Sequence, residues 1–414
     1  MYYWLRRWKH RILLALAIVG PGIITAVADN DAAGVSVYTT SAATFGYQIF
    51  IILIPMTILL AVTQEIGARI AIVAEKGLAD LIRERYGVRT AIAMYAMLFI
   101  VNIAVVITDV AGLKSALMLF HLNPYIFLPA IVIFLFLFVV LSSYSVVERF
   151  FILLIGFYLT YVASAVLAKP DWILAAKSLV IPAGAITPKF LYVSIAVLGT
   201  TVTAWGQFFI NSSIKDKHLT IDQIKYSQLE VYLGSLVTDG LTFFMQVAVA
   251  ATIFAYGIKI ADAADAAVAI KPFAGEFAGV LFGIGLLFAS IFGVIIVALS
   301  TAYAFSEFFG FSGSLDEGFK KSKLFYTTLL IQLVIATVVA MMPGVSLFAI
   351  TTVANFINGA ALPVIFYYLY QFANNKAIMG NHVNNRLQNI LLGGSIVVIT
   401  IATFVGILGQ VLGW

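Results

Sequence analysis

The chain has 414 residues, of which 62% are hydrophobic and only 10% are charged. Its mean hydropathy of +1.05 exceeds what a soluble core needs, and its apolar runs of about 18 to 25 residues match membrane-spanning helices in length. The absence of cysteine excludes disulfides and thiolate metal sites, and four histidines give no readable zinc-type cluster. Composition therefore predicts an all-α polytopic membrane protein in which any metal is bound by oxygen.

Apolar runs separated by polar or charged breaks predict eleven spans. The first run has no small-residue cleavage site and many spans follow it, so we expect a retained helix and not a signal peptide. Residues 1–414 are expected to form a single transmembrane domain. The predicted spans lie approximately at 12–45, 47–68, 91–119, 122–142, 149–168, 189–212, 228–256, 276–309, 324–343, 345–371 and 388–412.

The distribution of lysine and arginine predicts the orientation, because cytoplasmic loops carry an excess of both. If the basic opening from Arg6 to Arg11 stays inside, 18 basic residues lie on the inner side and 6 on the outer side. We therefore expect a cytoplasmic N-terminus and, with an odd number of spans, an extracellular C-terminus in the cell membrane. The net charge of +5 reflects this bias and gives no reason to propose nucleic acid. The lipid bilayer is the expected surrounding, and no obligate protein partner is evident.

Spans 1 and 6 are unusual because each has polar and small residues in its middle, at 28–34 (ADNDAAG) and 199–207 (GTTVTAWGQ). Five spans separate their starts, so they cross in opposite directions. An inverted repeat of spans 1–5 (about 12–168) and 6–10 (about 189–371), with span 11 as an extra helix, requires this arrangement. Interrupted helices at corresponding positions are typical of a transporter's midplane site. We predict an ion site between spans 1 and 6.

Asp31 is the first candidate ligand, because a carboxylate near the bilayer centre costs several kcal/mol unless it meets a cation, a proton or water. Aspartate also often caps a helix, and both roles can coexist here. Asp29 and Asn30 are weaker candidates, since adjacent helical residues point about 100° apart. We expect one of these two to face an aqueous vestibule. Unwinding frees carbonyl groups to bind a cation, and Ala28 is a further candidate for the pathway around the ion.

Span 6 offers further oxygen donors. Thr200 and Thr203 provide hydroxyls and, where the helix breaks, carbonyls, although threonine in a spanning helix usually bonds to its own backbone. Gln207 provides an amide oxygen four residues after Thr203. Trp205 is interpreted either as a packing residue or as part of the pathway.

Other polar residues within spans have two interpretations each. Asn102 and Asp109 in span 3 lie on roughly one helical face, and they either carry ions or protons or link helices by hydrogen bonds of around 1 kcal/mol. For Asp109 the functional interpretation is favoured. Asn355 and Asn358 in span 10 either face the site or link helices. Asp239 in span 7 stands alone, and the sequence assigns it no role.

No enzymatic function is predicted. The string at 310–313 (GFSG) matches a rhomboid-type serine motif by chance, since it lies at a span end and no intramembrane histidine is available as a base. The sequence also contains no His-Glu-x-x-His motif, no phosphate-binding glycine loop and no soluble domain for a nucleotide. We expect neither an enzyme nor an ATP-driven pump, and no cofactor apart from the transported ion.

Seven segments in order along nearly the whole chain carry a family pattern. They are 20–22 (GPG), the acidic stretch through Asp31, 46–47 (GY), 76–87 (KGLADLIRERYG), 108–109 (TD), 199–202 (GTTV) and 378–380 (IMG). Together they resemble the Nramp (natural resistance-associated macrophage protein) divalent-metal transporters. The resemblance implies a LeuT-type fold of eleven helices with helices 1 and 6 interrupted, alternating access, and a metal site between those two helices.

Departures from the family pattern fall on its metal ligands. The family's Asp-Pro-Gly-Asn motif falls on residues 31–34, so Asp31 is kept while Gly34 replaces the asparagine. Its Ala-x-x-Met motif falls on residues 200–203, so Thr203 replaces the methionine. A thioether favours Mn²⁺ and Fe²⁺ over Mg²⁺ and Ca²⁺. Its loss predicts a hard-ion or unselective site, and hydrated Mg²⁺ suits a cavity of one carboxylate, small residues, threonines and Gln207.

The family's proton-transfer residues are also largely missing. Its helix 6 histidine falls on Trp205, its helix 3 glutamates fall on Asn102 and Gly112, span 9 has no arginine, and only Asp109 remains. We therefore expect weak or absent proton coupling. The energetics permit this, because two charges moving down a 100 mV inside-negative potential gain roughly 4.6 kcal/mol, more than a thousandfold in accumulation.

The resulting prediction is a secondary transporter that moves divalent cations, Mg²⁺ first and also Mn²⁺, into the cytoplasm. The prokaryotic Nramp-related magnesium transporters are the subfamily that the sequence resembles most. One alternative is a conventional proton-coupled Mn²⁺ or Fe²⁺ importer, against which the missing methionine and histidine argue. Another is a Na⁺-coupled symporter for a small organic solute, for which a helix 1 carboxylate is unhelpful. A metal-sensing receptor or structural protein needs a signalling domain or a large polar surface, and the sequence has neither.

Overall fold

The computed structural model describes residues 20–260, 263–342 and 347–412, so part of predicted span 1 (12–19) and the basic opening lie outside the described residues. Within these ranges the chain is mostly helical, and ten helical stretches are long and apolar enough to cross a membrane. One stretch, Ala32–Ala74, has 43 residues, which is about twice the length a bilayer requires. It turns at Gly46 (φ 56°) and therefore serves two spans.

The predicted all-helical fold is confirmed, with boundaries shifted by a few residues. Span 2 begins and ends more than one turn later than predicted, and the helix of span 3 starts earlier and bends at Gly87 (φ 80°, ψ 174°). The spanning helices, from span 1 to span 11, are Pro21–Ala28 with Ala32–Phe45, Leu53–Ala74, Leu78–Leu119, Pro124–Leu141, Tyr144–Phe157 with Leu159–Leu167, Pro188–Thr201 with Ala204–Asp216, Ile224–Val249, Glu276–Phe309, Lys323–Met341, Leu347–Ala373 and Arg386–Leu412.

Spans 1 and 6 are both interrupted, as predicted. Span 1 divides into helix 1a (Pro21–Ala28) and helix 1b (Ala32–Phe45), and span 6 into helix 6a (Pro188–Thr201) and helix 6b (Ala204–Asp216). Extended backbone causes both breaks, at Asp31 (ψ 179°) and at Thr203 (ψ 147°). The two breaks therefore occur in the first helix of each five-span half.

The two ends of the helix bundle differ in what they contain. At the end where helix 6b stops, ion pairs join neighbouring helices, including Lys215 with Asp80 (2.7 Å) and Lys217 with Glu148 (2.6 Å). At the other end, a cavity of about 580 Å³ lies between helices 1b and 6a and the segment that follows span 7. One end is thus closed by paired charges, and the other has open volume above the breaks.

Candidate metal site

The break in span 1 is organised by the Asp31 side chain. Asp31 is the N-cap of helix 1b, and its Oδ1 accepts the Gly34 backbone N–H at 2.7 Å. A Cβ atom at Gly34 would overlap the Asp29 carbonyl oxygen and would lie 3.3 Å from the Thr200 hydroxyl oxygen. Glycine at position 34 is therefore required for helix 1b to pack closely against both the unwound segment that precedes it and span 6. The capping role of Asp31 is confirmed, and its role as an ion ligand stays a prediction.

The break in span 6 is joined directly to the break in span 1. The Thr203 hydroxyl caps helix 6b by accepting the Gly206 N–H at 3.0 Å, and it donates to Asp29 Oδ1 at 3.0 Å. The Asn358 side-chain oxygen accepts the Ala204 N–H at 2.7 Å. Side chains thus satisfy the Ala204 and Gly206 N–H groups in the first turn of helix 6b, where a helix start buried in a membrane protein needs acceptors.

Asp109 of span 3 lies against the same break. Its Oδ1 accepts the Ala33 N–H at 3.2 Å, while its Oδ2 is buried and has no hydrogen-bond partner in the described part of the chain. Gly293 of span 8 faces this region, because a Cβ atom there would overlap the Asp109 carboxylate and the Asp31 Cβ. Asp31 and Asp109 therefore form a buried carboxylate pair on the side of helix 1b that faces spans 3 and 8.

Gln207 and Trp205 of helix 6b are both buried. The Gln207 amide Nε2 is 3.4 Å from the Thr63 hydroxyl of span 2, and its Oε1 has no hydrogen-bond partner within the described ranges. That oxygen is available to a ligand. The Trp205 ring packs edge-on against Phe209, and the Trp205 carbonyl accepts the Ser300 hydroxyl at 2.8 Å. The packing interpretation of Trp205 gains support from these contacts.

The expectation that Asp29 or Asn30 faces an aqueous vestibule is wrong. Asp29 is 0% and Asn30 1% exposed, because the unwound backbone directs both side chains into neighbouring helices. Asn30 donates to the Thr238 hydroxyl at 2.7 Å and accepts from the Thr242 hydroxyl at 2.8 Å. Asn30 thus links span 1 to span 7. The Ala28 carbonyl accepts the Asp31 N–H at 3.0 Å, which uses one of its lone pairs.

The asparagines of spans 3 and 10 divide between the two predicted roles. Asn102 donates to the Thr301 hydroxyl at 2.7 Å and so links spans 3 and 8. Asn358 caps helix 6b. Asn355 places its backbone carbonyl against Gly199 of helix 6a, and its side-chain Nδ2 is buried with no hydrogen-bond partner among the described residues. Of the three, Asn358 lies nearest the break in span 6.

Sequence reasoning missed a polar face on span 7 that meets the break. Asp239, together with Thr238 and Thr242, faces helix 1b, where the Tyr38 hydroxyl lies 2.6 Å from the Thr201 hydroxyl. The spacing of 238, 239 and 242 places these three side chains on one side of a helix. That spacing was the available signal, and the isolated position of Asp239 in the sequence concealed it.

Together the two breaks bring oxygen donors into a buried region where two pairs of half-helices meet end to end. The N-termini of helices 1b and 6b carry partial positive charge, which offsets part of the negative charge of the aspartates. The remaining carboxylate, hydroxyl and amide oxygens suit a hard divalent cation. Interrupted helices around such a region define a secondary-transporter fold.

Comparisons with known proteins agree with this class. A model of the family described as natural resistance-associated macrophage protein-like matches residues 22–409, and the chain belongs to this Nramp family. The divalent metal cation transporter MntH of Chromohalobacter salexigens is 26% identical over 398 residues, covering 92% of this chain and 87% of that protein.

Solved structures show the LeuT-type fold. The manganese transporter of Eremococcus coleocola superposes with a TM-score of 0.78 at 19% identity, covering 96% of this chain and 87% of that one. MhsT, solved in complex with L-phenylalanine, superposes with a TM-score of 0.57 at 12% identity, covering 94% and 97%. The predicted fold and the predicted Nramp membership are therefore confirmed.

Proposed function

We propose that this protein transports divalent metal cations across the membrane by alternating access, with Mg²⁺ as the main cargo and Mn²⁺ as a second. The names of its relatives support the general class, since they are divalent metal cation and manganese transporters. One observation carries the proposal for Mg²⁺. Thr203, the residue at the family's methionine position, places a hydroxyl at the break and bonds to Asp29, so the donors here are hard oxygens.

In this proposal the ion binds at Asp31 with the Thr200, Thr203 and Gln207 oxygens and the backbone of residue 34 around it. Mg²⁺ keeps several of its waters when only one or two carboxylates bind it. Transport is driven by the membrane potential and the ion gradient, without coupled protons.

We also propose that the N-terminus is cytoplasmic and that ions enter the cell. The bias of basic residues supports this orientation. It assigns the end closed by the Lys215 and Lys217 ion pairs to the cytoplasm. The cavity between helices 1b and 6a then opens toward the outside, where an imported ion arrives.

The runner-up is a conventional proton-coupled manganese importer. Asp109 is the observation in its favour, because this carboxylate remains in contact with helix 1b and has an oxygen free of hydrogen bonds within the described ranges. In such an importer a titratable group beside the metal carries the proton. We rank it below uncoupled transport, because Trp205, Asn102 and Gly112 stand at the positions of the family's histidine and glutamates.

The test is uptake of Mg²⁺ and of Mn²⁺ into proteoliposomes by the wild type and by Asp31→Asn. We expect both ions to enter with the wild type and neither to enter with the variant, because the amide loses the charge that binds the ion. Asp222→Asn is the matched control, since Asp222 is an exposed residue before span 7. Mg²⁺ uptake that persists in Asp31→Asn would show that the transported ion binds at other residues.

A further inference from the structure

Four carboxylates surround the break in span 1, and all are nearly inaccessible to solvent. Asp29, Asp31, Asp109 and Asp239 are 0%, 2%, 0% and 5% exposed. None of the ion pairs formed by the described residues includes any of them. A buried charge without a partner costs several kcal/mol. One divalent cation at the transport site balances the charge of two ionised carboxylates, so the other two need protons or a second cation.

The four carboxylates differ in the groups that they contact around the break. Asp31 and Asp109 turn toward the start of helix 1b, where they accept the Gly34 and Ala33 N–H groups at 2.7 and 3.2 Å. Asp29 turns the other way, toward span 6. The transport site proposed above is centred on Asp31, and Asp29 borders it through the bond from Thr203. Asp29 and Asp239 are called the second pair below.

Asn30 fixes the second pair in place. It follows Asp29 in the chain and donates to both the carbonyl and the hydroxyl of Thr238, at 3.1 and 2.7 Å. Thr242 donates back to Asn30 at 2.8 Å. These three bonds hold the break of span 1 against the turn of span 7 that contains Asp239.

The oxygens of the second pair lack the partners that buried oxygens normally have. Asp29 Oδ2 and both carboxylate oxygens of Asp239 have no hydrogen-bond partner in the described part of the protein. The Thr57 hydroxyl of span 2 lies near Asp239, but it donates its hydrogen to a backbone carbonyl of its own helix at 2.8 Å. Asp239 is also within electrostatic range of Asp29 and of the Tyr38 hydroxyl. Three carboxylate oxygens without hydrogen-bond partners among the described residues thus lie in the buried region around spans 1 and 7, within electrostatic range of the Tyr38 hydroxyl.

We propose that Asp29 and Asp239, with the Tyr38 hydroxyl, bind a second divalent cation of the hard, oxygen-preferring class. Two carboxylates carry the charge that one divalent ion neutralises, and hard cations prefer this donor set. The second ion also joins span 1 to span 7, so its presence stabilises the break that forms the first site. The identity of the ion rests on the proposed function, whereas the existence of a second site does not.

The test is equilibrium binding of Mn²⁺ to the purified full-length protein in detergent, followed by displacement with Mg²⁺. We expect two ions per chain in the wild type, one in Asp239→Asn and one in Asp31→Asn. The control Asp222→Asn, in the turn before the helix of span 7, should still bind two. One ion per chain in the wild type with no change in Asp239→Asn would overturn the proposal, as would displacement of the second ion by Na⁺ alone.

A second measurement covers the case in which Asp239→Asn folds poorly. Dipolar coupling between two bound Mn²⁺ ions, measured by pulsed electron paramagnetic resonance, is expected in the wild type and requires no variant. Its absence at saturating Mn²⁺ would contradict the second site. Failure of the transport proposal has a different signature, namely no Mg²⁺ or Mn²⁺ flux, or flux that survives Asp31→Asn.

Discussion

At the residue scale, Asp31 has an observed role as a helix cap and a proposed role as an ion ligand, the two roles that the sequence allowed together. Its carboxylate ends the helical interruption by capping helix 1b through Gly34, and the same carboxylate is the proposed ion ligand. A cap uses one of its two oxygens and leaves lone pairs for an ion. The motif could be predicted from sequence because an aspartate within an apolar run is costly unless it meets a cation, a proton or water.

Gln207 gives a prediction at this scale. Gln207→Ala removes the side-chain oxygen that has no hydrogen-bond partner in the described ranges. We expect the apparent affinity for Mg²⁺ to fall by about tenfold to a hundredfold, since a bond to a charged group is worth about 1.5–3 kcal/mol. Uptake measured against Mg²⁺ concentration checks this. Gln332→Ala is the control, because Gln332 is also a buried glutamine with free amide atoms there, but in span 9. If the dependence of uptake on Mg²⁺ concentration is unchanged in Gln207→Ala, Gln207 is a packing residue and not an ion ligand.

Gly293 gives a second prediction. Gly293→Ala places a methyl group against Asp109 and Asp31, so we expect transport to fall and thermal stability in detergent to drop, with overpacking typically costing about 1–3 kcal/mol. Gly240→Ala in span 7 is the matched control, since a Cβ there meets nothing within 4 Å. Equal behaviour of the two variants would show that span 8 does not contact the site closely.

At the element scale, the two interrupted helices act as one unit. The Thr203 hydroxyl caps helix 6b and bonds to Asp29 in the span 1 break, so a displacement of either break is transmitted to the other. Alternating access requires such coupled movement of half-helices around a fixed site. The bond from Thr203 is therefore expected to affect both stability and transport.

Thr203→Val tests this coupling. The variant loses an N-cap, which costs about 1 kcal/mol, and it also loses the bond to Asp29, so we expect lower thermal stability and strongly reduced uptake. Thr203→Ser keeps the hydroxyl and should retain uptake. Thr187→Val is a matched control, because Thr187 caps helix 6a by accepting the Phe190 N–H at 3.1 Å but lies away from the breaks. Equal uptake in Thr203→Val and Thr187→Val would contradict the coupling.

Sequence predicted the elements well and the contacts between them less well. Length and polarity were sufficient for eleven spans and for the two breaks, because backbone groups in a membrane must be satisfied within the helix or at a functional interruption. The direction of the Asp29 and Asn30 side chains was not predictable, since it depends on how far the unwound backbone rotates. The polar face that contains Asp239 could be recognised from the spacing of residues 238, 239 and 242, but its contact with span 1 could not, because the two segments lie about two hundred residues apart in the chain.

At the scale of the whole molecule, the proposed orientation rests on the distribution of basic residues in the sequence. Residues in the loops at 177 and 376 lie on opposite sides in the proposed topology, and both are exposed lysines. Lys376→Cys should react with a membrane-impermeant maleimide only in opened cells, and Lys177→Cys in intact cells. The wild type contains no cysteine and so gives no background. The reverse labelling pattern would show that the topology is opposite to the proposed one and that the open cavity faces the cytoplasm.

Hard-cation transport without coupled protons is the central claim at this scale. Asp109 is the carboxylate on which the proton-coupled alternative rests, and the ion pairs of the described residues do not include it. A membrane potential alone supplies enough energy for two charges. Uptake should therefore respond to voltage and not to a pH gradient.

The most direct test measures Mg²⁺ entry and internal pH together, in proteoliposomes that hold an inside-negative potential. The account predicts Mg²⁺ and Mn²⁺ uptake that grows with the potential, with no acidification beyond that of protein-free liposomes. Uptake of Mn²⁺ alone, accompanied by matched proton entry and unaffected by excess Mg²⁺, would contradict it.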